Sequence, residues 1–327
     1  MQTPIENIIE NLISKHGLGK KPFLVGYSTG KDSTALLHAL SNLSPAAPKI
    51  IAIHLNHGWR EESAEEEAFA RCFCEGLGVE IYCETLPPDT VKSETKAREA
   101  RYDFFERAIK KFDADGLFLA HNKNDNVETL VYRVIKGTGV EGLKSIPEVR
   151  GKIYRPFLNV TRDEIEEYIE RNSLEFREDA SNLDTNYNRN RIRHEVLPIF
   201  EKINPNYLNN ITNLIEVANF ECEILDGVLK AAQDEVFEGD NPVALDAAQK
   251  MDTQKFLAQS YPIKLKLIYN YLKNDLKFYD LVRIKRIVDF IIEHATEAQD
   301  PQYRTHKRFS INSELFLYVN KKEILKK

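Results

Sequence analysis

The sequence predicts an α/β protein: a doubly wound parallel sheet of the Rossmann-like type, followed by a second, smaller, mainly helical C-terminal domain. Three observations lead there. Short β-rich runs alternate with amphipathic helical patterns through the first half, and parallel strands need crossover helices to join them. The turn after the first strand, Gly26-Tyr-Ser-Thr-Gly-Lys-Asp-Ser33, is small, polar and glycine-bearing. Beyond 153–158 the strand signals give way to helical periodicity.

Taken in order, the patterns predict a strand over 23–27, a helix over 33–43, a strand over 50–55 and a helix over 64–77. A strand over 79–84, a helix over 94–112, a strand over 116–121 and a helix over 124–135 follow. Residues 161–171 open with Thr161 and carry Glu164 three positions on, the signature of a capping box. An arginine-rich stretch at 188–198 precedes a long helical pattern over 205–236, and the turn-like Glu238-Gly-Asp-Asn-Pro242 separates a last unit. That unit reads as helices near 263–274 and 279–294 with strands after 303. Domains are expected at 1–204 and 205–327.

A chain of 327 residues holds one large or two modest domains, since soluble domains run to ~100–200 residues. Hydrophobic residues at 42% exclude wholesale disorder. The net charge of −6 argues against a globally basic nucleic-acid binder, yet from Lys255 onward 15 Lys and Arg face 8 Asp and Glu. That asymmetry suits a tail domain that meets a polyanion, or an ordinary solvated lysine face. Four irregularly spaced cysteines (72, 74, 83 and 222) with no CxxC pair give neither a disulfide framework nor a zinc or iron–sulfur motif. No run approaches the ~18 apolar residues of a membrane span, and the N-terminal residues lack a signal-peptide core, so a soluble cytoplasmic protein without a membrane partner is expected.

In doubly wound sheets ligands sit beyond the carboxyl ends of the strands. Four turns fall there: 28–33, 54–60, the segment after Glu84, and 121–128. The first is suited to phosphate, because small residues let backbone N–H groups converge and the following helix adds positive potential. It is one residue short of a Walker A loop. An acid inside an anion-binding turn, Asp32, points to Mg²⁺ bridging phosphate oxygens; the alternative is that Ser28, Asp32 and Ser33 only cap the next helix.

The turn resembles the SGGxDS loop of the N-type ATP pyrophosphatases of the PP-loop superfamily, and the remaining strand ends narrow the resemblance to the tRNA(Ile)-lysidine synthetases. His54-Leu-Asn-His-Gly-Trp-Arg60 is similar to that family's HxNHxLR, the run Lys96 to Phe105 to its basic helix ending in RYxFF, and Ala120 to Thr129 to AHHxDDxxET. Arg133, Lys136 to Leu143, Arg155-Pro156, Glu178 to Asn182 and Arg189-Asn-Arg-Ile-Arg-His194 extend the match over about residues 20–200. Three departures stand out. Thr29 replaces the first loop glycine, which puts a positive φ there in question; Asn122 and Asn124 stand where the family has His and Asp; and Trp59 replaces Leu.

The resemblance implies a ligase fold of the adenine nucleotide alpha hydrolase type. It activates the wobble cytidine of tRNA(Ile) with a CAU anticodon by ATP at its C2 oxygen, releases pyrophosphate, and lets L-lysine displace AMP to give lysidine. Residue types then suggest roles. Ser28, Thr29, Gly30, Lys31, Asp32 and Ser33 bind ATP, with Mg²⁺ on Asp32 and with His54 and His57 as pocket walls. Arg101, rather than Arg98, meets charge building on the α-phosphate. Asp125 and Glu128 share a helix face and hold the lysine ammonium, while His121 shuttles its proton; the competing view makes Asp125 a helix cap. Arg189, Arg191 and Arg193 contact tRNA phosphates or pack against the α/β domain, and Arg283 and Arg286 grip the tRNA stem. Monomer and homodimer both stay open. A tRNA thiolase using the same loop and a non-catalytic nucleotide-dependent RNA-binding module are the alternatives; the former usually needs cysteines arranged for sulfur transfer.

Overall fold

Continuous burial along β1, β2 and β4 marks a sheet with two covered faces. The computed structural model describes residues 4–43, 48–56, 63–86, 94–177, 188–237, 250–273, 275, 280–297, 307–311, 316–319 and 323–326. They form two compact units, Met1–Asn219 and Phe220–Lys327.

In the first unit the order is α1 (Pro4–Lys15), β1 (Phe23–Gly26), α2 (Lys31–Ser41), β2 (Ile50–Asn56), α3 (Ser63–Gly76), β3 (Glu80–Thr85), α4 (Glu94–Lys111), β4 (Gly116–Phe118) and α5 (Lys123–Lys136). The short α6 (Val140–Leu143), the hairpin β5 (Val149–Arg150) and β6 (Ile153–Tyr154), a 3₁₀ turn at Pro156–Asn159 and α7 (Arg162–Arg171) follow. Then come α8 (Asn188–Arg191), a π turn (Ile192–Val196), α9 (Leu197–Ile203) and α10 (Tyr207–Val236). The strand order is β3-β2-β1-β4-β6-β5, parallel except for the β5–β6 pair. The expected crossovers are therefore present.

Along β1, Phe23 and Val25 enter one core with Leu36, Leu40, Cys74 and Ile165, while Leu24 enters the other with Ile53, Phe104, Phe105 and Leu117. That alternation is the side-chain period of a strand covered on both faces. The periodic helices expected after strands one to four are all observed. The predicted capping box also forms: Thr161 Oγ1 accepts from Glu164 N at 3.2 Å and Glu164 Oε2 accepts from Thr161 N at 2.7 Å. α1, whose Ile5, Ile9 and Leu12 are buried, was not anticipated.

The division between units falls inside α10, between Asn219 and Phe220, whereas the expected boundary at 204/205 lies just before α10 begins at Tyr207. The second unit holds the end of α10, β7 (Met251–Asp252), α11 (Thr253–Ala258), α12 (Tyr261–Leu272), α13 (Leu281–Glu297), β8 (Lys307–Ser310), β9 (Phe316–Val319) and β10 (Glu323–Lys326). Ile284, Ile287, Val288 and Ile291 of α13 repeat at helical spacing and bury against Leu267, Ile268 and Ile324. Its strands form an antiparallel sheet in the order β7-β10-β9-β8, three of them in the stretch after 303. The turn expected at 238–242 lies outside the described residues.

Candidate active site

β1 delivers the chain to the turn, and the turn is built around Ser33. Its hydroxyl accepts from Ser28 N at 3.2 Å, donates to Gly30 O at 2.9 Å and lies 3.1 Å from Ser28 Oγ. Gly30 is the N-cap of α2 and supplies no side-chain cap, so the first amides of the helix have no side-chain acceptor. Thr29 sits at φ 63°. The left-handed conformation that a glycine would take is thus kept by a β-branched residue at some cost in strain. Thr29 Oγ1 donates to Ser28 O at 2.6 Å, and Arg177 N donates to Thr29 O at 2.9 Å. Lys31 turns to α7: its Nζ pairs with Glu166 at 2.6 Å and lies 5.3 Å from the Phe176 ring centroid.

Beside this turn opens a cleft of about 390 Å³, lined by Ser28, Asp32 and Ser33, by His54 near the carboxyl end of β2, by Arg98 and Arg101 on α4, and by His121 and Asp125 after β4. Three of the four expected turns thus contribute to one space. His57 and the segment after Leu86 lie outside the described residues.

Asp32 has one side-chain donor among the described residues. It accepts from Asn122 Nδ2 at 3.1 Å, and burial first, then the charge of Asp125, pushes its pKa up to about 6. Such an acid gains from a cation beside it. The site suits Mg²⁺, which commonly uses one or two protein carboxylates and takes its other oxygens from phosphate and water; Asp32 is the residue that would hold it.

The two histidines differ in state. His54 is buried and its Nδ1 lies 2.9 Å from Tyr27 O, which only accepts, so Nδ1 carries the proton and the partnerless Nε2 is an acceptor. His121 has a buried Nδ1 without a partner. Its pKa is lowered to about 3 by burial, with Arg155, Arg189, Arg98 and Arg101 adding their charges, so the ring is neutral at physiological pH.

On α5, Asn122 is the cap: its Oδ1 accepts from Asp125 N at 2.9 Å and Asp125 Oδ2 accepts from Asn122 N at 3.1 Å. Asp125 therefore occupies the third position of the box and is not itself the N-cap. Three positions on, Glu128 is fully buried. Arg193 Nε donates to its Oε1 at 2.7 Å, Arg189 Nε to its Oε2 at 3.1 Å, and Arg162 approaches at 3.4 Å. Arg189 and Arg193 also lie 3.1 and 3.5 Å from Asp125 Oδ1.

Two of the three arginines expected at the RNA surface therefore turn inward onto α5. Arg191 is exposed and pairs with Glu195. Arg101 lines the cleft from an exposed position, and Arg283 and Arg286 belong to α13 of the second unit. Sequence reasoning passed over Arg162, Asn122 as a partner of Asp32, and Glu166. Arg162 follows the Thr161 cap directly, but nothing in its local pattern marks it as a partner of residue 128.

A parallel sheet wound on both faces, with a glycine-bearing turn after its first strand and titratable groups at its carboxyl edge, defines a doubly wound α/β protein whose ligands bind at the strand ends. More narrowly, the chain belongs to the PP-loop domain family, whose description matches residues 1–200. It is 33% identical over 282 residues to the tRNA(Ile)-lysidine synthase of Bacillus subtilis (strain 168), covering 81% of this chain and 58% of that protein. It is 39% identical over 203 residues to the protein of the same name from Thermotoga maritima, covering 60% and 49%. The chain spans about half to two thirds of the length of the curated relatives it matches. Among solved structures, a U34-tRNA thiolase from Methanococcus maripaludis shares the fold with a TM-score of 0.54 at 19% identity, over 65% of this chain and 77% of that one.

Proposed function

We propose that this chain ligates L-lysine to C2 of the wobble cytidine of tRNA(Ile) bearing a CAU anticodon, at the expense of ATP, in the cytoplasm. The observation that carries the reading is the convergence of three separate sequence blocks, after β1, β2 and β4, on one cleft. These are the blocks whose resemblance singled out lysidine synthetases, and the named relatives agree with it.

In this reading ATP lies with its β- and γ-phosphates against Ser28 to Ser33, where the open amides of α2 face the leaving pyrophosphate. Asp32 would hold Mg²⁺, which when bound would supply charge neutralisation at the phosphates. The cytidine C2 oxygen attacks the α-phosphorus, the bond to the β-phosphate oxygen breaks, and Arg101 meets the charge that builds on the α-phosphate. The lysine amine then attacks C2 and AMP leaves with the C2 oxygen.

Of the two carboxylates on α5, Asp125 faces the cleft, and we assign the lysine ammonium to it. Glu128 is buried beneath the arginines and holds them in place. His121 relays the proton shed by the amine to water in the cleft; as a weak base ringed by cations, it does not retain it. Arg191 and, in the second unit, Arg283 and Arg286 remain for tRNA phosphates.

The test is incubation with ATP, labelled lysine and tRNA(Ile) carrying CAU, followed by nucleoside analysis. Lysidine is expected only when all three are present, with pyrophosphate released only when tRNA is present. Pyrophosphate release without tRNA, or a modified nucleoside containing no lysine, overturns the reading.

A further inference from the structure

A second and larger cavity, about 920 Å³, lies between α4 and the β5–β6 hairpin and shares Arg98 and Tyr102 with the first. Its walls carry Lys110 from α4 and Arg150, Lys152 and Ile153 from the hairpin. Three acids also line it, Glu99, Glu106 and Asp113, but Asp113 is already paired with Lys21 at 2.7 Å.

The shared wall is unusual in its chemistry. The Tyr102 ring has the Arg98 guanidinium carbon 5.0 Å and the Arg150 carbon 5.4 Å from its centroid. Its hydroxyl accepts from Arg98 at 3.4 Å and from Arg155 at 3.3 Å. Arg155 is only 2% exposed, donates to Pro147 O at 2.8 Å, and has a buried Nε without a partner. Among the described residues no carboxylate pairs with it. A buried cation lacking a counter-ion is costly, and here it anchors the hydroxyl of an aromatic ring and adds positive potential where the two cavities meet.

We infer that this second cavity receives the single-stranded nucleotide next to the reacting base, with the base packed against the Arg98–Tyr102–Arg150 stack and its phosphates met by Arg150 and Lys110. Aromatic and guanidinium planes interleaved along a positively charged groove are what splayed RNA bases and their backbone require. An acidic peptide would use the charges but not the ring. The volume lies within the ~300–1,000 Å³ of ordinary ligand pockets, so a nucleotide fits. The shared wall of Arg98 and Tyr102 puts the neighbouring nucleotide beside the cleft when the target base stands by Asp32. The inference rests on the proposed reaction, and its test separates the two.

Binding of a fluorescent anticodon stem-loop RNA to the full chain would be followed by anisotropy at several salt concentrations, for wild type, Arg150→Glu and Lys110→Glu, alongside ATP binding. Each charge reversal is expected to weaken RNA binding about 10-fold and to lower the salt slope by about 1, with ATP affinity unchanged. Tyr102→Ala is expected to weaken RNA binding by a similar factor, about 10-fold. If wild type makes lysidine while both charge reversals bind RNA with wild-type affinity and slope, the second cavity is not the RNA track and the proposed reaction stands. If the reversals abolish capture of an acidic peptide and leave RNA binding untouched, the cavity belongs to a protein partner and the inference is overturned. If wild type binds no RNA, both readings fall.

Discussion

Asp32, in the first turn of α2, and Glu128, in the second turn of α5, are carboxylates beside the same cleft, and they have opposite fates. Glu128 is wholly buried and saturated by Arg162, Arg189 and Arg193. Asp32 has one amide donor, a like charge nearby in Asp125, and a pKa raised to about 6. Both are desolvated, but Glu128 is paired directly with the arginines, whereas Asp32 feels Arg162 and Arg193 without an ion pair to either. A compensated acid organises structure, whereas an uncompensated one waits for an exchangeable cation.

The largest expected effect tests that assignment. Asp32→Asn should lower lysidine formation by ~10²–10³-fold while leaving the unfolding midpoint unchanged or raised. A variant forming product at the normal rate removes the metal role. Glu128→Ala should act the other way round, on stability first. It strands partly buried guanidinium groups that keep Asp125 as a second partner, and should cost about 1.5–3 kcal/mol in urea unfolding, and a loss of less than about 1 kcal/mol would mean the arginines find other partners.

The comparison sharpens with pH. For Asp32 the folded value of about 6 lies above the ordinary 3.8, so across that window the folded state keeps a proton that the unfolded chain has released. Its contribution to stability therefore falls as pH rises from 3.8 to about 6. His121 runs in the opposite sense. It is neutral in the fold down to about 3 and protonates near 6.5 when unfolded, so stability rises across that interval. Urea midpoints against pH for wild type, Asp32→Asn and His121→Asn separate the two slopes; parallel curves for all three would refute the assignment.

Smaller effects belong to the turn itself. Glu166→Gln releases Lys31 and should lower the ATP KM by a factor of about 2–5, the scale of a partly exposed ion pair; an increase would mean the pair preorganises the turn. Thr29→Gly removes the strain at φ 63° and should raise stability by about 1 kcal/mol or less, read from thermal unfolding.

Much of this architecture was legible in the chain. The alternation of strand and helix patterns marked the parallel sheet because each crossover helix must hide one apolar stripe while each strand hides two faces. α1 was overlooked because an isolated amphipathic segment before the first strand has no place in that alternation. β5 and β6 are two residues each, too short for periodicity to mark them. The turn at 28–33, with its acid, stood out from composition alone. Asp125 and Glu128 were correctly set on one helix face, but their partners were not foreseen.

The reason is distance along the chain. Residues 125 and 128 meet 162, 189 and 193 only after α5, α7 and α8 pack, and an arginine among asparagines looks the same in sequence whether it faces RNA or a carboxylate. Local order is encoded by neighbours three or four positions apart, and the sequence determined it: which segments are helix or strand, where the glycine-bearing turn after β1 falls, which acids share a face. Which of those acids is neutralised and which is left wanting a cation was decided by tertiary contact, because desolvation and charge pairing depend on what arrives from elsewhere in the fold.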